Sequence, residues 1–193
     1  VPIIGDTVYA VSDKINTTRN TYAECVDYIT SQCDLALSLV YPTYTGSDYG
    51  RITKGACLAL KARVLLYAAS PLFNGGQLAT AEPLRSLTGY PSADNTRWQK
   101  AADAAKAVID LNQYHLNFDN TTRAGYGFYN VFNLRINKEY IFARMMNNSF
   151  NDLEGLWRPI SRGGSSTSGS WAYQNLVDAF QMKNGKDITD VSS

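Results

Sequence analysis

Aromatic and hydrogen-bonding side chains are interspersed along polar stretches of the sequence. The aromatic members are Tyr90, Tyr126, Phe128, Tyr129, Trp157 and Trp171, and the polar members are Asn74, Asn130, Asn147, Asn148, Arg158 and Arg162. A sugar ring packs its C–H face on an aromatic ring, while its hydroxyl groups bond to amide and guanidinium groups. These stretches therefore predict a saccharide site. The alternative role for each ring is to pack a loop against the core.

The candidate ligand contacts come from this set. Trp157, Trp171 and Tyr126 are predicted to stack on sugar rings, and Asn74 and Arg158 are predicted to bond to sugar hydroxyls. Trp98 is interpreted differently, because it lies on the apolar stripe of a predicted helix. We expect Trp98 to belong to the core.

Signatures of catalysis are weak in this sequence. The single histidine, His115, has no His or Cys at ligand spacing, which argues against a zinc site and a catalytic triad. Residues 50–55 (GRITKG) lack the order of a phosphate-binding loop. Asp152 and Glu154 are a possible acid pair for glycoside hydrolysis, but neighbouring acids are common in loops. The sequence therefore predicts no catalytic residue, metal ligand or cofactor.

Composition limits the class of protein. The chain has 193 residues, is 45% hydrophobic and has a formal net charge of +1, which predicts one globular domain or part of one. Near-neutral charge argues against a nucleic-acid partner held by the overall field. The longest apolar run, residues 64–69, is far short of the roughly 20 residues that cross a bilayer. The sequence begins Val-Pro-Ile-Ile without a signal peptide or a lipid-attachment cysteine, so we expect an intracellular protein or a piece of a longer one.

Two helices are predicted in the first part of the chain. Thr21 and Glu24 form a capping box, and an apolar stripe follows until Pro42. Residues 51–70 are rich in Ala and Leu, which is typical of a helix buried among other helices. Lys54 and Lys61 would form the solvated stripe of that helix. Arg63 would lie on its apolar face and need a carboxylate from a neighbouring helix, and the candidates are Asp27, Asp34 and Glu139.

The rest of the chain alternates loops and short elements. A long loop covers residues 72–95, and a second capping box, Thr96 and Gln99, opens a helix that runs to about Leu111. Residues 117–138 are interpreted as loop and turns, 140–145 as a short strand, 161–170 as a flexible linker and 171–182 as a last amphipathic helix. The predicted fold class is mainly α, with tetratricopeptide-like helical hairpins and long irregular loops.

One long segment resembles a known family. Residues 48–76, DYGRITKGACLALKARVLLYAASPLFNGG, resemble the signature of the SusD/RagB family of nutrient-binding outer-membrane lipoproteins of Bacteroidetes. Further blocks agree in order along the chain: RNTY at 19–22, DLAL at 34–37, WQKAA at 98–102, and LVDAF at 176–180 leading to Asn184 and Gly185.

The resemblance implies an architecture and a setting. Residues 1–193 would be part of a single SusD-like domain, with 21–111 as the helical scaffold and 112–193 as a loop-rich region with a late helix. Family members are much longer, so this chain would be an internal fragment whose lipid anchor lies outside it. The implied partners are an oligosaccharide or polysaccharide and a SusC-like TonB-dependent transporter, at the cell surface of the outer membrane.

Three functions are weighed. The leading hypothesis is a non-catalytic protein that captures oligosaccharide and passes it to the transporter. The alternative is a helical-repeat module that binds another protein and no sugar. The third is a hydrolase that uses the acids at 152 and 154. Aromatic residues in the loops favour the first of these, and the poor acid pair disfavours the third.

Overall fold

The computed structural model describes residues 1–76, 78–145 and 173–190 of the chain. It divides into two compact units, Val1–Arg144 and Met145–Ser193. The described residues are mainly helical, as predicted, and they contain no strand. The helices of the first unit are α1 (Tyr22–Leu39), α2 (Lys54–Ala69), α3 (Leu84–Thr88), α4 (Thr96–Asp110) and α5 (Tyr126–Asn133), and that of the second is α6 (Gln174–Asp178).

Helix α1 begins at the predicted capping box. The Thr21 hydroxyl oxygen accepts from the Glu24 N–H at 3.2 Å, and the Glu24 carboxylate accepts from the Thr21 N–H at 2.8 Å. The bonds that the Glu24 carboxylate accepts from the Thr21 N–H and the Thr21 hydroxyl lower the pKa of this carboxyl. Val26 and Cys33 are the buried residues of the helix.

Helix α2 packs against both α1 and α4. Its buried residues are all small: Gly55, Cys57, Ala68 and Ala69. Ala68 and Ala69 are only 2% and 1% exposed. Small side chains let the neighbouring backbones approach closely, so α2 is the centre of the helical scaffold.

The structure reverses the predicted roles of two basic residues on α2. Arg63 was expected to be paired on an apolar face, yet it is exposed, and so are Leu60 and Tyr67 beside it. Lys61, expected on the solvated stripe, instead donates to both oxygens of Asp34 on α1, at 2.6 and 2.7 Å. The predicted pairing of Arg63 is therefore wrong: Asp34, one of its three candidate partners, binds Lys61, because Lys61 and not Arg63 lies on the side of α2 that faces α1.

Helix α4 differs from its prediction in both cap and buried face. Its N-terminus is capped by Asp94, whose carboxylate accepts from the N–H and the hydroxyl of Thr96 at 2.9 and 2.7 Å. The helix buries Ala101 and Ala104, whereas Trp98 is 45% exposed. The placement of Trp98 in the core was wrong, because the close approach of α4 to α2 leaves room for alanine and not for an indole.

The loop between α2 and α4 is held down by aromatic contacts. The Tyr22 ring stacks on Phe73 with centroids 5.1 Å apart and meets the Tyr90 ring edge-on at 5.4 Å. Burial, and then the proximity of Tyr90, raises the pKa of Tyr22. Tyr90 therefore has the packing role that was the alternative for each loop ring.

The structure corrects two predictions between residues 112 and 145. Helix α5 lies where loop and turns were expected, and residues 140–145 form no strand. A Cβ on Gly127 would lie 2.0 Å from the carbonyl oxygen of Asn117. The glycine of α5 thus lets the segment around Asn117 lie directly on the helix.

The second unit has a shorter helix than expected. Helix α6 covers Gln174–Asp178, where a helix over 171–182 was predicted. The chain then turns at Gly185, whose φ of 80° favours glycine, and the Met182 N–H donates to the Lys186 carbonyl at 2.8 Å. The predicted linker at 161–170 lies outside the described residues.

The three cysteines are free thiols, of which Cys33 and Cys57 are buried and Cys25 is partly buried. Burial raises the pKa of the Cys33 and Cys57 thiols. In the described part of the chain, no helix combines the length and hydrophobicity needed to cross a membrane.

The reversal on α2 leads to a stability prediction. Replacing Lys61 with Met removes the bond to Asp34 but keeps the aliphatic packing, and we expect unfolding free energy to fall by about 1 kcal/mol. The matched control is Arg63→Met, which should stay within about 0.5 kcal/mol of the parent because Arg63 is exposed. Urea denaturation measures both. An equal or larger loss in Arg63→Met would contradict the assignment.

Candidate functional site

A cavity of about 390 Å³ opens in the first unit between segments 42–53, 113–114 and 136–143. This volume lies within the roughly 300–1,000 Å³ of small-ligand sites. We call it the tyrosine cleft, since four of the five aromatic residues that line it are tyrosines. The five are Tyr44, Tyr49, Tyr114, Tyr140 and Phe142.

The first wall of the cleft is the loop between α1 and α2. Pro42 ends the helical path of α1, and the Lys54 N–H donates to the Tyr41 carbonyl at 3.1 Å, which closes the loop. The Tyr44 ring meets the Tyr41 ring edge-on, with centroids 5.8 Å apart. The Tyr44 hydroxyl accepts from the Tyr41 N–H at 3.4 Å. The position of Tyr44 is therefore fixed by its neighbours in the loop.

The second wall depends on a glycine at the start of α2. A Cβ on Gly55 would lie 2.0 Å from the hydroxyl oxygen of Tyr114. The phenol of Tyr114 thus rests directly on the helix backbone, which only glycine permits at this position. Gly55 lies within the family-like segment 48–76, so that segment helps to shape the cleft as well as the scaffold.

The third wall is tied to the C-terminal end of α5. The Val131 carbonyl accepts from the Tyr140 hydroxyl and, at 3.0 Å, from the Asn137 side chain. The His115 N–H donates to the Lys138 carbonyl at 3.2 Å, which joins the second wall to the third. His115 itself is exposed, as expected for a surface histidine.

Polar groups of the cleft retain hydrogen-bonding capacity. The Gln113 side-chain oxygen is shielded from solvent and has no partner among the described residues. Such an acceptor costs free energy until a donor reaches it. Tyr49 is different, because its hydroxyl donates to the Arg135 carbonyl at 3.2 Å and its ring is left to contact a ligand.

Asn74, a predicted ligand contact, is buried away from the tyrosine cleft. Its amide nitrogen donates to the carbonyls of Ala69 and Asp94, at 3.4 and 3.0 Å. Its oxygen accepts from the Asp94 N–H at 2.9 Å and from the Arg97 guanidinium. All four hydrogen-bonding positions of the amide are occupied within the chain, so Asn74 closes the 72–95 loop and has none left for a ligand.

Tyr126, the second described candidate, is the first residue of α5. Its ring stacks on Tyr129 with centroids 6.0 Å apart, and the Arg123 guanidinium lies 5.1 Å from the Tyr129 centroid. Tyr126 does not line the tyrosine cleft. Trp157, Arg158 and Trp171 lie outside the described residues, as do the acids at 152 and 154.

The cleft residues were missed in the sequence, although a signal existed. Tyr44 and Tyr49 lie in a polar turn, YPTYTGSDYG at 41–50. This turn also has aromatic residues among polar ones, which is the pattern that pointed to Tyr126 and Trp157. Tyr114 and Tyr140 carry no such local signal. They reach the cleft only because the fold brings 113–114 beside 136–143.

A second cavity, of about 620 Å³, lies between α1, α2 and α4, and we call it the central groove. Its charged lining residues have both signs: Asp27, Asp94, Asp103, Lys61, Arg97 and Lys100. Its one aromatic ring, Tyr90, is covered by the Arg97 guanidinium at 3.7 Å from the ring centroid. The central groove therefore offers no open stacking surface for a sugar. In the described part of the chain, no cluster of three His, Cys, Asp or Glu residues could hold a metal ion.

Comparison with solved structures identifies the fold. No family model and no curated protein matches the sequence. A SusD-like protein from Bacteroides fragilis, BF3747, is 23% identical and has a TM-score of 0.65, over 96% of this chain and 32% of that chain. The protein BT4246 is 25% identical, with a TM-score of 0.51 over 67% of this chain and 24% of that chain.

The chain therefore has a SusD-like fold, and the resemblance inferred from the sequence blocks is confirmed at the level of fold. It spans between about a quarter and a third of the length of these two proteins, given coverages of 24% and 32%. At such identities the likeness concerns the fold.

The structural role of Asn74 can be tested through stability. We expect Asn74→Ala to lower the free energy of unfolding by about 1–3 kcal/mol, because it leaves buried partners such as the Asp94 N–H unsatisfied. Asn95→Ala is the matched control, since the Asn95 side chain makes no capping bond to α4. Urea denaturation compares the two. A stability loss in Asn74→Ala no larger than in the control would argue against this role.

Proposed function

We propose that this chain is part of the nutrient-binding component of a SusCD-type uptake system and that its tyrosine cleft binds an oligosaccharide without turning it over. The SusD-like fold supports the type of protein. The single observation that carries the saccharide ligand is the cluster of aromatic rings around the orphan oxygen of Gln113.

The lining of the cleft matches the two faces of a sugar. The C–H face of a sugar ring packs on aromatic rings, and four tyrosines and a phenylalanine supply them. A sugar hydroxyl can donate to the Gln113 side-chain oxygen, which satisfies an acceptor that the described protein leaves empty. The apolar face of the sugar thus contacts apolar rings, and its hydroxyl contacts a polar oxygen.

The tyrosines of the cleft have two roles, which depend on whether their hydroxyls are already bonded within the protein. Tyr49 and Tyr140 donate theirs to backbone carbonyls, so they contribute rigid ring surfaces. The Tyr44 hydroxyl accepts one bond and can still donate, and the Tyr114 hydroxyl can do both. Tyr44 and Tyr114 are therefore the tyrosines that we assign to direct hydrogen bonds with the saccharide.

Four of the residues predicted from the sequence stay in the proposal as further candidate contacts. Tyr126, Trp157, Arg158 and Trp171 have the residue types that stack on sugars and bond to hydroxyls. Asn74 is left out because its amide is fully occupied.

The proposal includes a location and a protein partner. The full-length protein would be attached by a lipid to the surface of the outer membrane and would pass oligosaccharide to a SusC-like TonB-dependent transporter. The exposed stripe of α4, with Trp98 45% and Ile109 75% exposed, is consistent with a scaffold that meets further protein surface. The same stripe favours the alternative, a helical-repeat module that binds protein and no sugar.

Replacing tyrosines of the cleft tests the ligand class. Titration of the full chain with a panel of soluble polysaccharides, by calorimetry, should give saturable binding to at least one class. Tyr44→Ala and Tyr114→Ala should each weaken that binding about tenfold, the equivalent of about 1.4 kcal/mol. Tyr67→Ala is the matched control, because Tyr67 is an exposed tyrosine on α2 that does not line the cleft.

Two outcomes would contradict parts of the proposal. A folded chain that binds no saccharide would favour the helical-repeat alternative. A second outcome is binding that survives Tyr44→Ala and Tyr114→Ala but is lost in Trp157→Ala or Trp171→Ala. That result would assign the saccharide to Trp157 and Trp171 and not to the tyrosine cleft. Far-UV circular dichroism of every variant confirms that the comparison is made between folded proteins.

A further inference from the structure

The charged side chains that line the tyrosine cleft have one sign. They are Arg51 and Lys138, and no aspartate or glutamate lines this cavity in the described chain. A cavity with one sign of charge raises the local concentration of ligands of the opposite sign. The central groove, with both signs in its lining, shows that this is a property of the cleft and not of the whole surface.

Both cations keep hydrogen-bond donors that the described residues do not use, although Arg51 is paired with Asp48. Asp48 contacts Arg51 at the Nε atom, at 3.0 Å, and no other bond engages the guanidinium within the described residues. Lys138 forms no ion pair with any residue that the structure describes. The adjacent acid, Glu139, accepts from the Asn117 N–H at 2.6 Å and does not line the cleft.

Helix α2 adds positive potential to the same cavity. Its N-cap residue, Thr53, lines the cleft, and its first turn contains no acidic residue. The partial positive charge of a helix N-terminus is therefore not offset locally. Gln113 adds a different requirement, since its oxygen needs a neutral donor such as a hydroxyl. The complete ligand thus carries both a hydroxyl and a negative charge.

We infer that the saccharide of the tyrosine cleft is acidic, with a carboxylate or sulfate group on a sugar ring. The inference rests on the proposed function and narrows its substrate class. The anionic group binds the Nη groups of Arg51 and the ammonium of Lys138 through charge-assisted hydrogen bonds. The tyrosine rings pack on the sugar, and Gln113 accepts from a hydroxyl. A neutral saccharide of the same shape keeps the ring contacts and loses the ionic ones.

Matched ligands separate charge from shape. The probes are an oligogalacturonate, the same oligomer with its carboxylates reduced to alcohols, and a galacto-oligosaccharide of the same length that carries sulfate groups. Calorimetric titration of the full chain is performed at low and at high ionic strength. We expect the uronate or the sulfated oligomer to bind at least about tenfold more tightly than the reduced form. This advantage should shrink at high salt because exposed ion pairs are screened.

Variants assign the effect to the two cations. Arg51→Met and Lys138→Met should each remove most of the preference for the acidic ligand over the reduced oligomer, which is measured as the ratio of the two affinities in each variant. Arg63→Met and Lys14→Met are the controls, because each removes one positive charge from a residue outside the cleft. A preference for the uronate over the sulfated oligomer would identify the anion as a carboxylate, and the reverse order would identify a sulfate.

The inference and the proposed function fail in different ways. Binding of the reduced oligomer as tightly as the acidic ones would overturn the acidic ligand while saccharide capture stands. A loss of preference that is equal in the control variants would also overturn it, since net charge and not the cleft would then be responsible. Failure of the folded chain to bind any saccharide, including the neutral panel, would overturn the proposed function and the inference together.

Discussion

The close approach of helix α2 to both of its neighbours is the constraint on which the first unit depends. Ala68 and Ala69 are almost completely buried, and the other buried core residues are also small or medium in size. No large side chain is fully buried among the described residues. The helices of the scaffold are therefore packed with their backbones close together. A methylene group added at one of the buried positions would destabilise this packing.

Because the helices pack so closely, the large aromatic side chains lie at the edges of the scaffold. Trp98 lies on the outer face of α4, while Tyr22, Phe73 and Tyr90 fasten the 72–95 loop to α1. Two tyrosines of the cleft are fastened by their hydroxyls: Tyr49 donates to the Arg135 carbonyl and Tyr140 to the Val131 carbonyl in α5. Aromatic rings thus give the long loops fixed positions, and a fixed set of rings is what a stacking site requires.

Local signals in the sequence were sufficient for some elements and not for others. The capping box of α1 and the alanine-rich pattern of α2 are local, and both helices lie where the sequence placed them. The buried face of α4 and the pairing of Lys61 depend on which helix lies opposite, and a single helical stripe does not contain that information. The tyrosine cleft joins segments that are distant in sequence, so residue type alone pointed to Asn74 instead.

Asn74 and Gln113 show how the same chemical group can have opposite roles. Both are amides near loops, yet all four bonding positions of Asn74 are used within the chain, whereas the Gln113 oxygen has no partner in the described structure. An acceptor that is shielded from solvent and has no partner lowers stability. The bonding positions that an amide has left are therefore a better guide to a ligand contact than its amide character alone.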